Sequence, residues 1–135
     1  MSVQGLITIA SQHSVKDSLD RLEARLRSKN IAVFARIDHA RGAQAAGLAL
    51  RPTELLIFGH PKAGTPLMQA GQTAGIDLPL KVLAWQDAAA KVWLSYNDMA
   101  WLAQRHQLAQ GSEAAVAALA AAIAGLCAAA AGADE

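Results

Sequence analysis

The first third of the chain places apolar and polar residues in a pattern typical of a strand, a helix and a second strand. LITIAS is predicted to be the first strand and IAVFARI the second. Between them, Ser14 is suited to cap a helix and Asn30 to end it. Apolar residues in this helix recur every three or four positions and therefore share one face: Val15, Leu19, Leu22 and Leu26.

The middle of the chain predicts a short helix, an inner strand and a third helix. A run of small residues is typical of a short helix that ends near Gly47. The segment ELLIF follows and is apolar on both faces, which favours a central strand covered on both sides. Thr65 and Pro66 are then predicted to be the N-cap and the first residue of the next helix.

The last third of the chain predicts a hairpin and two helices. LPLKVLAWQ and KVWLSY pair as antiparallel strands across a turn that lacks the glycine expected of a tight hairpin. Asn97 or Asp98 caps a helix that carries His106 on its apolar side, and an alanine-rich helix follows. This order of elements indicates an α+β domain with helices packed on a mostly antiparallel sheet.

We predict a single α+β domain over residues 1–108 and an alanine-rich helical extension over residues 109–135. No charged residue lies between Glu113 and Asp134, a distance long enough for a membrane span. Alanine drives insertion weakly, however, and no Lys or Arg flanks the segment. A helix packed on its own domain or on a partner is therefore favoured over a membrane span.

Composition argues against several classes of partner and compartment. The 12 basic and 11 acidic residues leave a net charge of +1, without the clustered basic excess typical of nucleic-acid binding. The single cysteine, Cys127, cannot form an internal disulfide, and its alanine neighbours favour a small buried side chain over a reactive thiol. The N-terminus has no basic leader, so we expect a cytoplasmic protein without a membrane partner.

Three ordered segments resemble the uncharacterised bacterial and archaeal family called domain of unknown function 302. They are IDHARGAQAAGLALRPTELLIFGHPKAGTPLMQ, DLPLKVLAWQD and VWLSYNDMAWLAQRH, and the resemblance covers roughly residues 3–108. It implies a β-α-β(4)-α arrangement similar to TATA-binding protein, with the alanine-rich helix as an addition, and it implies a homodimer. It implies no activity, and the fold alone gives no ground for DNA binding. His60 stands where the family commonly has asparagine, which argues against a family-wide metal-ligand role.

Asp38, His39 and His106 are the candidate catalytic residues. Histidine exchanges protons near neutral pH, and a neighbouring carboxylate can fix its tautomer. Adjacent strand residues point to opposite faces, so Asp38 and His39 need not touch. His106 lies on an apolar stripe, so its ring needs a hydrogen-bond partner. In a structural role that partner is a backbone carbonyl or Asp38; in a functional role His106 shares a pocket with His39. A metal site from these residues and His60 lacks the close spacing of known motifs, so metal and cofactor stay unknown.

The loop from Gly59 to Thr65 is the candidate ligand-binding site. A strand, a glycine loop and a helix start can present backbone N–H groups to an anion. The segment does not match a nucleotide-hydrolysing phosphate loop, in which the lysine follows the second glycine. Here Lys62 precedes Gly64, and a proline removes one backbone N–H donor from the loop. The alternative is a tight turn shaped by glycine and proline. The candidate ligand-binding residues are Arg51, His60, Lys62 and Thr65.

Aromatic residues concentrate on the hairpin and on the helix after it. They either line a ligand pocket or pack in the core and in a dimer interface, and the sequence favours packing. The four residues are Trp85, Trp93, Tyr96 and Trp101.

These observations favour a binding module over an enzyme. We expect a dimer that binds a small molecule, an anion among the options, in a cleft near the Gly59–Thr65 loop and His39. The first alternative is an enzyme or metal-binding protein that uses Asp38, His39 and His106. The second is a structural or partner-binding protein. The module is favoured because the sequence has no convincing nucleophile and no convincing metal-ligand spacing.

Overall fold

The structure, a computed structural model, describes residues 2–108 and 110–132. The strands are β1 (Leu6–Ser11), β2 (Ala32–Asp38), β3 (Thr53–Gly59), β4 (Leu80–Gln86) and β5 (Val92–Asn97). The α-helices are α1 (Val15–Ser28), α2 (His39–Ala45), α3 (Pro61–Ala70), α4 (Met99–Arg105) and α5 (Glu113–Ala131), and a 3-10 helix spans Gln72–Ile76. Residues 109 and 133–135 of the predicted extension lie outside the described residues.

The strands form one sheet in the order β1-β5-β4-β3-β2, and every neighbouring pair is antiparallel. β4 therefore lies in the middle, paired with β5 in the predicted hairpin and with β3 on its other side. β1 and β2 are the edges. The predicted α+β class and the predicted order of elements are confirmed.

The hairpin turn between β4 and β5 is closed by Asp87 instead of by glycine. One carboxylate oxygen of Asp87 accepts hydrogen bonds from the backbone N–H groups of Ala89 and Lys91, both at 2.9 Å. The other oxygen accepts from Nε1 of Trp93 at 2.9 Å. Ala90 takes a φ of 66°, which is unusual for a residue with a side chain. The carboxylate contacts hold the turn in that conformation.

Helices α1 and α5 cover one face of the sheet and form the main core with it. The predicted apolar stripe of α1 is buried there, as are alternate residues of the sheet and the inner side of α5. The core residues include Leu19, Leu22, Leu26, Leu56, Phe58, Val82, Leu94, Ile123 and Leu126. A second, smaller core joins α3, the 3-10 helix, α4 and the first half of α5: Leu67, Ala74, Met99, Leu102 and Leu119.

Helix α5 is tied to α1 at its C-terminal end. The guanidinium group of Arg21 donates to the backbone carbonyls of Ala129 and Ala130 at 3.0 Å each. The N–H of Gln12 donates to the carbonyl of Ala131 at 2.9 Å. These donors satisfy carbonyls left over at a helix end, and the arginine charge complements the helix dipole. By length and composition α5 could cross a membrane. Its apolar stripe nevertheless packs on its own domain, as predicted.

The other face of the sheet is open along its inner strands, which corrects the prediction that ELLIF is covered on both sides. Leu56 and Phe58 are fully buried under the helices. The alternate residues Leu55 and Ile57 point the other way and stay half-buried. Trp85 and Trp93 stack on this open face with their ring centroids 6.3 Å apart.

Candidate functional site

Helix α3 begins at Pro61, earlier than the sequence pattern predicted. Nδ1 of His60 accepts a hydrogen bond from the N–H of Lys62 at 3.1 Å, so His60 is the N-cap. Pro61 takes the first helical position, where its missing N–H costs no hydrogen bond. Pro66 lies inside the helix. The prediction that Thr65 and Pro66 start this helix is wrong, because a histidine ring performs the capping usually done by Ser, Thr, Asp or Asn.

The start of α3 forms one wall of an apolar cavity of about 270 Å³. Phe34, Pro79 and Leu119 line other sides of the cavity, so strand, loop and helix all contribute to it. Phe34 lies at an irregularity in the pairing of β2 with β3. Its ring reaches the end of β3, where a side chain added at Gly59 would lie 3.6 Å from it. The β-bulge therefore places the Phe34 ring in the cavity wall, and a Cβ at Gly59 would meet that ring at an ordinary van der Waals distance.

Two polar side chains, those of His60 and Thr65, line this cavity. Because Nδ1 of His60 accepts a backbone hydrogen bond, the neutral ring carries its proton on Nε2. The cavity thus offers one ring N–H and one hydroxyl against walls that are mostly carbon. A small number of polar groups in an apolar cleft is the usual make-up of a small-molecule site.

The other two predicted ligand-binding residues lie outside this lining. Nε of Arg51 donates to the carbonyl of Gln86 at 3.1 Å, at the far end of β3 from Gly59. Lys62 is exposed on the outside of the first turn of α3. Of the predicted set, the structure brings together His60 and Thr65 and separates them from Arg51.

Asp38 and His39 lie where β2 gives way to α2. Asp38 is the N-cap of α2, and its carboxylate accepts a hydrogen bond from the N–H of Arg41 at 2.9 Å. His39 is the first residue of that helix and is exposed. Strand alternation therefore ends at Asp38. The pair DH marks the polar start of a short helix, away from the lining of the cavity beside α3.

His106 lies in a polar cluster between the end of α4 and the 3-10 helix. Its Nε2 is 2.5 Å from a carboxylate oxygen of Asp77, and its Nδ1 is 3.0 Å from Oγ1 of Thr73. Nη1 of Arg105 donates to both oxygens of Asp77 at 3.0 and 2.9 Å. The His106 side chain is 6% exposed. The sequence correctly predicts a buried ring that needs a partner, but the partner is Asp77 and not Asp38.

The electrostatics of this cluster favour an ionised Asp77. Burial by itself would raise the pKa of this carboxyl group. The hydrogen bond from His106 and the positive charge of Arg105 outweigh burial and lower the pKa below its ordinary value of 3.8. With Asp77 ionised, Nε2 of His106 is the donor of this contact, and in the neutral form of the ring Nδ1 can accept from the Thr73 hydroxyl.

His39 and His106 do not share a site, since the bonded partners of His106 are Thr73 and Asp77. Within residues 2–108 and 110–132, His, Cys, Asp and Glu side chains form no group of three able to hold a metal ion. Burial raises the pKa of Cys127 to about 12, which makes this thiol a poor nucleophile.

Sequence patterns miss the residues that complete both sites. Asp77 and Thr73 lie in a short polar segment without periodicity, where nothing distinguishes them from ordinary loop residues. In the sequence, Phe34 has the pattern of an ordinary strand residue; the bulge that displaces it is visible only in the structure. The one available signal is the buried position of His106 on the α4 stripe, which requires a polar partner of unknown location.

The family model described as Domain of unknown function DUF302 matches residues 7–126. This chain belongs to the DUF302 family. The match runs through the sheet and most of α5, so the expectation that the alanine-rich helix is an addition to the family is wrong.

This DUF302 chain is also similar to part of some curated bacterial proteins. It is 52% identical over 115 residues to proteins named Fluoride-specific ion channel FluC 1 from Brucella suis biovar 1 (strain 1330) and from Brucella abortus biovar 1 (strain 9-941). The alignment covers 85% of this chain but 45% and 43% of those proteins. The chain therefore spans less than half of the length of these relatives.

The fold is similar to that of a solved DUF302 structure. The crystal structure of an uncharacterized conserved protein DUF302 from Bacillus stearothermophilus superimposes with a TM-score of 0.82. The superposition covers 94% of this chain and 98% of that one, at 16% sequence identity. At this identity the likeness establishes the α+β fold and carries no information on ligands.

The lowered pKa of Asp77 makes a specific contribution to the pH dependence of stability. The ionised carboxylate stabilises the folded state above its ordinary pKa of 3.8, and this stabilisation is lost as pH falls through the lower folded value. We expect the free energy of unfolding to fall less steeply between about pH 5 and pH 3 in Asp77→Asn than in the wild type. Urea unfolding at several pH values measures this slope. Thr73→Val keeps the carboxylate and should retain the wild-type slope; equal slopes in wild type and Asp77→Asn would contradict the assignment.

Proposed function

We propose that this DUF302 chain binds a small, uncharged, mainly apolar molecule in the cavity beside α3. The supporting observation is a cavity of about 270 Å³ whose lining includes Phe34, Met68, Pro79 and Leu119. An engineered apolar cavity of about 150 Å³ holds benzene. A bicyclic aromatic molecule of the size of indole therefore suits the larger space. His60 and Thr65 supply a donor and a hydroxyl to orient it.

The lining favours a neutral ligand over the anionic ligand that the glycine loop suggested. Neither Arg51 nor Lys62 contributes to the cavity, and among the residues that the structure describes no other Lys or Arg lines it. An anion placed there would lose its hydration without gaining a charged partner, which costs several kcal/mol or more. Apolar contacts carry no such penalty, and each buried methylene group contributes about 0.8 kcal/mol.

Filling the cavity should weaken binding without unfolding the domain. Ala63→Phe places a ring inside the cavity, and we expect the Kd for indole to rise at least about tenfold, equivalent to ~1.4 kcal/mol. Titration calorimetry with indole measures this change. Gln69→Phe adds the same ring on the exposed side of α3 and should bind like the wild type. Lack of indole binding by wild-type protein, or equal binding by Ala63→Phe, would exclude the proposal.

We further propose that two copies of the chain pair through the open face of the sheet. Leu83 and Trp85 are half-buried there, and Ile37 and Leu6 are 40% and 37% exposed. Five strands about 4.8 Å apart and some 20 Å long make a face of roughly 24 by 20 Å. The projected area of about 480 Å² lies below the ~800 Å² per partner of a standard interface and fits a smaller, weaker one. A two-fold axis would bring the same apolar patch of each copy together.

A charge in the middle of the open face should prevent pairing. Leu83→Glu would bury a carboxylate against the partner copy, so we expect a monomer where the wild type is a dimer. Analytical ultracentrifugation at micromolar concentration gives the mass of each. Gln104→Glu adds the same charge at an exposed position of α4 and should stay dimeric. A monomeric wild type would rule out this interface.

The similarity to proteins named as fluoride channels supports a second candidate function. More than half of each Brucella protein lies outside the aligned segment. A domain joined to a channel in one chain acts at high local concentration on that channel. We propose that this chain is an accessory domain that modulates a fluoride channel, in cis or as a separate partner.

Removing the aligned segment from Brucella suis FluC 1 tests this second function. We expect fluoride efflux from proteoliposomes to change about fivefold or more, a factor typical of allosteric coupling. Adding this chain as a separate polypeptide should restore part of the change. The Leu83→Glu and Ala63→Phe variants then show whether the open face or the cavity carries the effect. Unchanged efflux after the deletion would exclude a modulating role.

A further inference from the structure

We propose that Thr73, His106 and Asp77 form a second site, in which the Thr73 hydroxyl accepts an acyl group from an activated carboxylic ester. This site is independent of the cavity beside α3, and it shares none of the residues that line that cavity. The chemistry follows from a hydroxyl, an imidazole and a carboxylate connected in sequence. Nucleophilic hydroxyl groups of enzymes are activated by this arrangement.

The three side chains are within hydrogen-bonding distance in the required order. Oγ1 of Thr73 is 3.0 Å from Nδ1 of His106, and Nε2 of the same ring is 2.5 Å from Oδ2 of Asp77. The ionised carboxylate takes the ring N–H on Nε2, which leaves the lone pair of Nδ1 for the hydroxyl proton. His106 is therefore held in the tautomer that acts as a general base toward Thr73.

The three side chains differ in exposure, as acyl transfer to Thr73 requires. The side chains of His106 and Asp77 are 6% and 17% exposed, whereas Thr73 is exposed on the 3-10 helix. A substrate can therefore reach the hydroxyl, while the ring and the carboxylate are shielded from water. Arg105 donates to both oxygens of Asp77, which fixes the orientation of the carboxylate. Asp77 is thus a positioning residue that acts through His106.

The same contacts also link the 3-10 helix to α4. The alternative to catalysis is therefore a purely structural link, and the experiment must distinguish the two. A structural link requires the buried hydrogen bond between His106 and Asp77. It gains little from the exposed Thr73 hydroxyl, because water competes for the hydrogen bond that this hydroxyl makes. Thr73 is therefore the residue at which the two interpretations differ. The Thr73 hydroxyl is dispensable for a structural link between the 3-10 helix and α4, and it is essential for acyl transfer.

The reaction is balanced without any cofactor. Oγ1 of Thr73 attacks the ester carbonyl carbon, and its proton passes to Nδ1 of His106. The C–O bond to the leaving alcohol breaks, and the alcohol departs with the proton from Nδ1. Water then attacks the acyl-Thr73 ester and gives a proton to Nδ1, from which it returns to Oγ1 as the carboxylic acid leaves.

A fluorophosphonate probe tests the nucleophile directly. Thr73 Oγ1 would form a bond to phosphorus, fluoride would leave, and the hydroxyl proton would pass to Nδ1 of His106. We expect intact-mass spectrometry of the wild-type protein to show one adduct, and peptide mapping to place it on Thr73. Thr73→Ser should keep the adduct and Thr73→Val should lose it. Ser28→Ala removes an exposed hydroxyl that donates to a backbone carbonyl, and it should label like the wild type.

The general base and the positioning residue have separate signatures. His106→Gln should slow labelling about 100-fold or more, the usual contribution of a general base. Asp77→Asn should lower the maximal labelling rate while leaving the half-saturating probe concentration unchanged, because Asp77 does not contact the probe. Circular dichroism confirms that each variant is folded. An unlabelled wild type, an adduct on another residue, or equal labelling of Thr73→Val would overturn the proposal and leave a structural tie.

Discussion

The fold depends on the packing of α5 beside α1 on one face of a single antiparallel sheet. α1 packs on β2, β3 and β4, and α5 packs on β1 and β5. Each buried Leu or Ile side chain stabilises this packing by about 1.5–3 kcal/mol. Arg21 and Gln12 fix the register of α5, because they occupy the carbonyl groups at its C-terminal end. The alanine-rich helix is therefore part of the core.

This packing also positions the cavity. Leu119 belongs to the first half of α5 and lines the cavity opposite α3. Other parts of the wall come from Phe34, which a bulge moves out of strand alternation, and from the segment before β4. Because β3 and the 3-10 helix contribute as well, through Gly59 and Gly75, a shift of any of these elements changes the cavity. The proposed ligand would accordingly bind to the folded domain and stabilise it by mass action.

The two candidate sites use different chemistry at different places in the domain. The cavity beside α3 offers carbon surfaces and two neutral polar groups, which suits recognition of an apolar molecule. The cluster of Thr73, Asp77, Arg105 and His106 offers charge, a fixed tautomer and an exposed hydroxyl. The Bacillus stearothermophilus protein has the same fold at 16% identity, so the fold tolerates wide changes of side chain. Neither site can therefore be deduced from the fold alone.

The sequence by itself determined the order of strands and helices, because hydrophobic spacing and capping residues act locally. Ser14 caps α1 as the pattern predicts, and the buried stripe of α1 is the predicted one. It also required a partner for His106, since a buried ring cannot stay unpaired. Only the tertiary structure decided that this partner is Asp77, 29 positions away in the chain. Likewise it decided that His60 caps α3 and that one sheet face stays open. Those outcomes depend on contacts between distant segments, which no local pattern encodes.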